Sequence, residues 1–131
     1  MMTLPNNAFI HKYLAHTAES MRADLHEVLA MMRTIAPDAE LSFDLGIPYF
    51  QQDSEFLFGV AARDNHLCIY FDTCPVFYSF KERLNQVQFG QNCLIFHRLQ
   101  DININVFAEL LSQIKVYSVK QGRNRSATVL H

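Results

Sequence analysis

The sequence predicts an α+β domain, an antiparallel sheet with an N-terminal and a C-terminal helix packed on one of its faces. Three observations carry this. Apolar residues follow a helical period over 17–35, the period changes to two after Pro37, and it returns to helical after Asp101. The runs with period two are separated by turn-forming residues, as in strands paired through tight turns rather than through long crossovers.

In the first helical stretch Met21, Leu25, Val28, Leu29, Met32 and Ile35 form one stripe, and Pro37 stops it. Glu19, Ala23, His26 and Glu27 lie on the opposite face. Phe43, Leu45 and Ile47 then alternate with Ser42, Asp44 and Gly46, which predicts a strand over 42–47, with a polar turn at 51–54. Phe56, Phe58, Val60 and Ala62 predict a second strand facing the core, with Leu57, Gly59, Ala61 and Arg63 facing away. Asp64 and Asn65 turn the chain into a third strand over 66–71, in which Leu67, Ile69 and Phe71 point inward. One or two helical turns follow near 79–84, then a strand over 92–97 with Leu94 and Phe96 inward. Asp101 or Asn103 is placed to cap a last helix over 104–116, whose stripe is Val106, Phe107, Leu110, Leu111 and Ile114. The reading is one domain over 1–131, with its core at about 15–116 and a basic, mobile tail over 118–131, or a further sheet edge at 127–130.

Half of the residues are hydrophobic, enough for a core without staples in a chain of 131 residues. Cys68, Cys74 and Cys93 are an odd number without a CxxC pair, so they supply neither a disulfide framework nor a zinc ribbon. No apolar run approaches the roughly 18 residues of a membrane span, and the first ten residues lack the layout of a signal peptide. A cytoplasmic location without a membrane partner is expected. Residues 1–114 carry 13 acids against seven Lys and Arg, while 115–131 carry Lys115, Lys120, Arg123 and Arg125 and no acid. Four cations spread along a tail do not make the basic face that nucleic acid demands, and no nucleic-acid partner is expected.

Gly46-Ile47-Pro48-Tyr49-Phe50 within the run from Glu40, the small-residue strand Phe58 to Arg63, the strand His66 to Tyr70 and Gly90 to Phe96 occur in one order. In these the chain resembles the YdhG-like domain of unknown function, family 1801, over roughly residues 15 to 116. The resemblance implies a fold similar to frataxin, with two terminal helices on one face of an antiparallel sheet. Arg63 stands where the family usually has Lys, which keeps the charge and changes the hydrogen-bond geometry. One family member is regarded as a frataxin-type iron chaperone. That alternative, with iron as cofactor, would use first-helix carboxylates, here Glu19, Asp24 and Glu27 beside Arg22 and Arg33.

With both helices assigned to the inner face, the outer face is expected to be open and to be the working surface of a binding module without a cofactor. Its occupant would be a protein partner, a second copy of the chain or a small ligand. The candidate residues are Asp44, Gly46, Pro48, Tyr49, Gly59, Ala61, Arg63, His66, Tyr70 and His97. Gly59 and Ala61 would floor a shallow recess with Leu57, Tyr70 and Ile95 exposed around it. Gly46 and Pro48 read first as backbone devices, with Tyr49 as the aromatic wall of a ligand loop. His66, Cys68, Cys93 and His97 would offer two imidazoles and two thiols if their strands were neighbours, without a standard zinc spacing. No Gly-x-Ser-x-Gly, P-loop or dinucleotide fingerprint occurs, and no catalytic residue is assigned.

Overall fold

The structure, a computed structural model, describes residues 8–72, 74–84 and 86–129. Two helices, α1 (Ala8–Ala15) and α2 (Glu19–Ile35), precede strands β1 (Glu40–Ser42), β2 (Tyr49–Gln52), β3 (Glu55–Arg63) and β4 (His66–Phe71). A 3-10 helix (Pro75–Phe80), strands β5 (Gln88–Phe89) and β6 (Cys93–Phe96), a short 3-10 turn (Leu99–Asp101) and α3 (Ile104–Val129) complete it. The strands form one sheet in the order β1-β2-β3-β4-β6-β5, and every pairing is antiparallel.

The main core lies between the inner face of this sheet and the stripes of α2 and α3. Met21, Leu25, Val28, Leu29 and Met32 of α2, and Phe107, Leu110, Leu111 and Ile114 of α3, are buried there with Phe50, Phe58, Val60, Leu67, Ile69, Leu94 and Phe96. Both helices therefore share one face of an antiparallel sheet, as the change of period predicts. Asn103 caps α3, its Oδ1 accepting from the amides of Asn105 at 3.1 Å and Val106 at 3.2 Å. At the other end of the layer Lys115 donates to the Ile35 carbonyl, satisfying an orphan acceptor of α2 and tying the two helices together. Arg33 continues the job, donating to the carbonyls of Pro37 and Ala39 while its guanidinium lies over the Phe50 ring.

The expected strand over 42–47 is not formed. β1 ends at Ser42, and 43–48 is a loop in which the Gly46 amide bonds back to the Phe43 carbonyl and Gly46 takes φ +84. A left-handed glycine with a proline, which lacks an amide hydrogen, two residues on cannot continue a ladder, whatever the alternation of Phe43, Leu45 and Ile47. Leu45 is 64% exposed. Gln51 and Gln52 belong to β2, and the turn is Asp53-Ser54 alone, both with positive φ as a two-residue hairpin of this twist requires.

β3 corrects the sequence reading in a second way. Phe50 pairs with Phe58 but Gln51 pairs with Phe56, so Leu57 sits in a bulge without a cross-strand partner. The bulge puts Leu57 and Phe58 both in the core and turns Phe56 outward, where it stacks on Tyr49. The short helix expected near 79–84 lies earlier, at Pro75–Phe80, and the edge strand Gln88–Phe89 was not foreseen.

The basic tail expected to be mobile from 118 continues α3 as helix to Val129, so 127–129 are helix rather than a sheet edge; Leu130, the end of that proposed edge, lies outside the described residues. Ser118 and Val119 are buried, and Gly122 passes so close to Glu55 that a Cβ there would meet its side chain. Removing residues 118–131 should therefore lower stability by about 2 kcal/mol or more, the burial of a valine plus the lost helix end. A melting midpoint unchanged by the truncation would contradict this packing.

Candidate functional site

α1 decides what the outer face can do. Phe9, Ile10, Tyr13 and Leu14 share one side of it; Ile10 is buried, and Tyr13 and Leu14 pack against the core. The Tyr13 hydroxyl accepts from the Ala62 amide at 3.1 Å, completing a ladder that β2 leaves unfinished, since two residues earlier Val60 donates to the Pro48 carbonyl. Phe9 meets Phe43 with ring centroids 5.8 Å apart. Arg22 closes the helix behind it, donating to the carbonyls of Ala15 and Thr17.

The 43–48 loop is held down from the sheet side. Tyr49 donates a hydrogen bond to Asp44, which holds its phenol above the usual 10.0, the hydrogen bond outweighing burial. Tyr49 pairs with Gly59, and a Cβ at position 59 would lie 2.9 Å from Tyr49 Cβ and 3.1 Å from the Pro48 carbonyl. Ile47 Cδ1 stands 3.4 Å from the same point. Position 59 is glycine because the loop sits on it.

The outer face is consequently covered in its β2–β3 half. Gly59 and Ala61 are buried, Ala61 fully, and Leu57 is in the core. They form no recess, and Ala61 cannot touch a partner. Pro48 and Tyr49 are buried as well, and Asp44 is occupied by Tyr49. Accessible surface remains on the other half, where Tyr70, Cys93 and Ile95 are half-buried beside His66 and His97, whose rings meet edge to face at 6.2 Å. Among the described residues no three His, Cys, Asp or Glu side chains are arranged to hold a metal ion. Burial pushes the thiols of Cys93 and Cys74 upward, against a thiolate ligand or nucleophile. On α2, Glu19 and Glu27 are exposed, while Asp24 accepts the Leu99 amide at 3.1 Å and faces Arg98.

Between α1, the loop and the β3–β4 turn runs a groove of two lobes that meet at Tyr13, His16 and Gly46. One, of about 310 Å³, adds Phe9, Lys12 and Phe43; the other, of about 410 Å³, adds Met21, Ala62, Arg63 and Asp64 with the junction of α1 and α2. Two sequence-predicted residues, Gly46 and Arg63, are thus brought together here. Phe9, Lys12, Tyr13 and His16 were missed, although the i, i+1, i+4, i+5 spacing of Phe9, Ile10, Tyr13 and Leu14 already signals a helix. Arg63 is hydrogen-bonded to Tyr70, which holds its guanidinium protonated; burial raises the Tyr70 phenol and Arg63 pulls it back.

No family model and no curated protein matches this sequence. A solved structure does: the crystal structure of YdhG, a DUF1801-family protein from Bacillus subtilis, superposes with a TM-score of 0.66 over 78% of this chain and 84% of that one, at 14% identity. The chain has the YdhG fold. At that identity the likeness is one of fold, and the chemistry of the groove is read from this chain's own residues. No helix among the described residues is long and apolar enough to cross a membrane.

The raised phenols carry a pH dependence. Unfolded tyrosines ionise near 10.0 while native Tyr49 and Tyr70 keep their protons, so the native state binds more protons and stability falls as pH rises above that value. Arg63→Met removes the lowering influence on Tyr70, and phenolate absorbance should then show Tyr70 ionising at higher pH than in the wild type. A downward shift would contradict the Arg63–Tyr70 contact.

Proposed function

We propose that this chain is a non-catalytic binding domain for a small ligand, and that its working surface is the groove between α1 and the 43–48 loop. The observation that carries the reading is the pair of joined lobes, whose volumes of about 310 and 410 Å³ fall in the range of small-molecule sites, roughly 300–1,000 Å³. Phe9, which lines it, is 65% exposed, an apolar ring open to a ligand. Arg63 and Gly46, the family-motif positions nearest the groove, supply a charge and a backbone that a ligand can approach without a Cβ in the way.

The sheet face proper supports docking less well than its sequence suggests, because Gly59 and Ala61 lie under other parts of the chain. An iron-chaperone reading needs Glu19, Asp24 and Glu27 free to reach one ion, and Asp24 is already engaged by the Leu99 amide.

Titration of the labelled protein with a small-fragment library, followed by amide shifts, tests the proposal. Perturbations should gather at Lys12, Tyr13, Gly46, Arg63 and Asp64, and Phe43→Ala should weaken the hits several-fold. Hits gathered at Tyr70, Cys93, Ile95 and His97 would move the site to the β4–β6 half of the sheet.

A further inference from the structure

Resting on the groove reading, the geometry points to a ligand class: a small aromatic carboxylate, its ring packed against the Phe9–Phe43 pair and its carboxylate toward Lys12 and Arg63. The charge distribution argues for the anion. The chain commits other cations to its own acceptors: Arg22 to the carbonyls of Ala15 and Thr17, Arg33 to those of Pro37 and Ala39, and Lys115 to that of Ile35. Arg83 and Arg98 have the carboxylates of Glu109 and Asp24. Among the described residues Lys12 and Arg63 have no carbonyl or carboxylate acceptor, Arg63 being bonded to the Tyr70 hydroxyl alone, yet both line the groove.

Arg63 is also held in place. Its hydrogen bond to Tyr70 restrains the guanidinium and leaves donors over, and a planar guanidinium suits the two oxygens of a carboxylate. Asp64 is the one acid lining either lobe and forms no ion pair with Arg63; Asp44, the acid of the adjoining loop, already accepts from Tyr49. His16 donates through Nδ1 to the Lys12 carbonyl at 2.8 Å, which leaves Nε2 as its remaining polar atom.

The other lobe selects against a bare inorganic anion. Phe9 and Phe43 are inclined by 32° with centroids 5.8 Å apart, and Tyr13 joins them along the lobe. Rings so arranged offer faces and edges to a flat apolar body, a contribution that a phosphate or sulfate could not use.

The test uses the full chain and three probes of one shape: 2-naphthoate, 2-naphthylmethanol and 2-naphthylmethylammonium, by calorimetry and amide shifts. Naphthoate should bind in the groove at least about tenfold more tightly than the alcohol, as a charged hydrogen bond implies, with the ammonium weakest. Arg63→Met and Lys12→Met should each remove most of that advantage and leave the alcohol unchanged, whereas Phe43→Ala should weaken naphthoate and alcohol alike; thermal melts establish that each variant is folded. Equal binding of alcohol and carboxylate in the groove would overturn the anion assignment and leave the groove reading standing. Shifts outside the groove for every probe would overturn both. A peptide ending in phenylalanine that binds more than tenfold tighter than naphthoate would overturn the small-molecule assignment in favour of a protein terminus.

Discussion

The close approach of Pro48 and Tyr49 to Gly59 is the constraint on which the accessible surface of this molecule depends. With no Cβ at position 59, the chain leaving the 43–48 loop lies against β3, and Tyr49 is then placed to donate to Asp44 and pin the loop. The pinned loop presents Phe43 to Phe9, and α1 docks beside it with Tyr13 bonded to the Ala62 amide. A glycine inside a strand is costly in conformational entropy and packs nothing itself. Here the return is a layer of chain on a face that the two long helices leave uncovered, and a groove where that layer meets the turn at Asp64.

Much of the frame was legible in the sequence because it follows from periodicity. The stripe from Met21 to Met32 and that from Phe107 to Ile114 are unbroken, Asn103 is a good cap, and two turn residues at Asp64-Asn65 join runs of matching alternation. What escaped is what periodicity does not encode. The bulge at Leu57 brings Leu57 into the core and turns Phe56 out, while Phe58 and Val60 keep the expected face, and no local signal marks it. The end of α3 is polar in composition, and its packing through Val119 and Gly122 depends on Glu55, more than 60 positions away. At 43–47 a strand-like alternation was outvoted by one backbone angle, at Gly46.

The candidate site was legible only in part, for a related reason. Arg63 stands out as a cation ending a strand of small residues, and Gly46 as a glycine two residues ahead of Pro48. Their partners Lys12, Tyr13 and His16 lie about 30 to 50 positions earlier in a helix of eight residues, too short to stand alone in water. Tertiary docking makes that helix, and the same docking makes the groove. Small outward residues such as Ala61 have two readings in a sequence, a recess for a partner or a seat for the chain itself, and here the chain occupies them.

Amide hydrogen exchange in Gly59→Ala, compared with the wild type, tests this dependence most directly. An added methyl must displace Pro48 and Tyr49, so protection should fall selectively in α1 and in the 43–49 segment, while the β3–β4–β6 ladder and the α2 and α3 stripes keep theirs. Unchanged protection in α1, or a uniform loss through the whole core, would contradict the claim that the seating of the loop on Gly59 is what builds the groove.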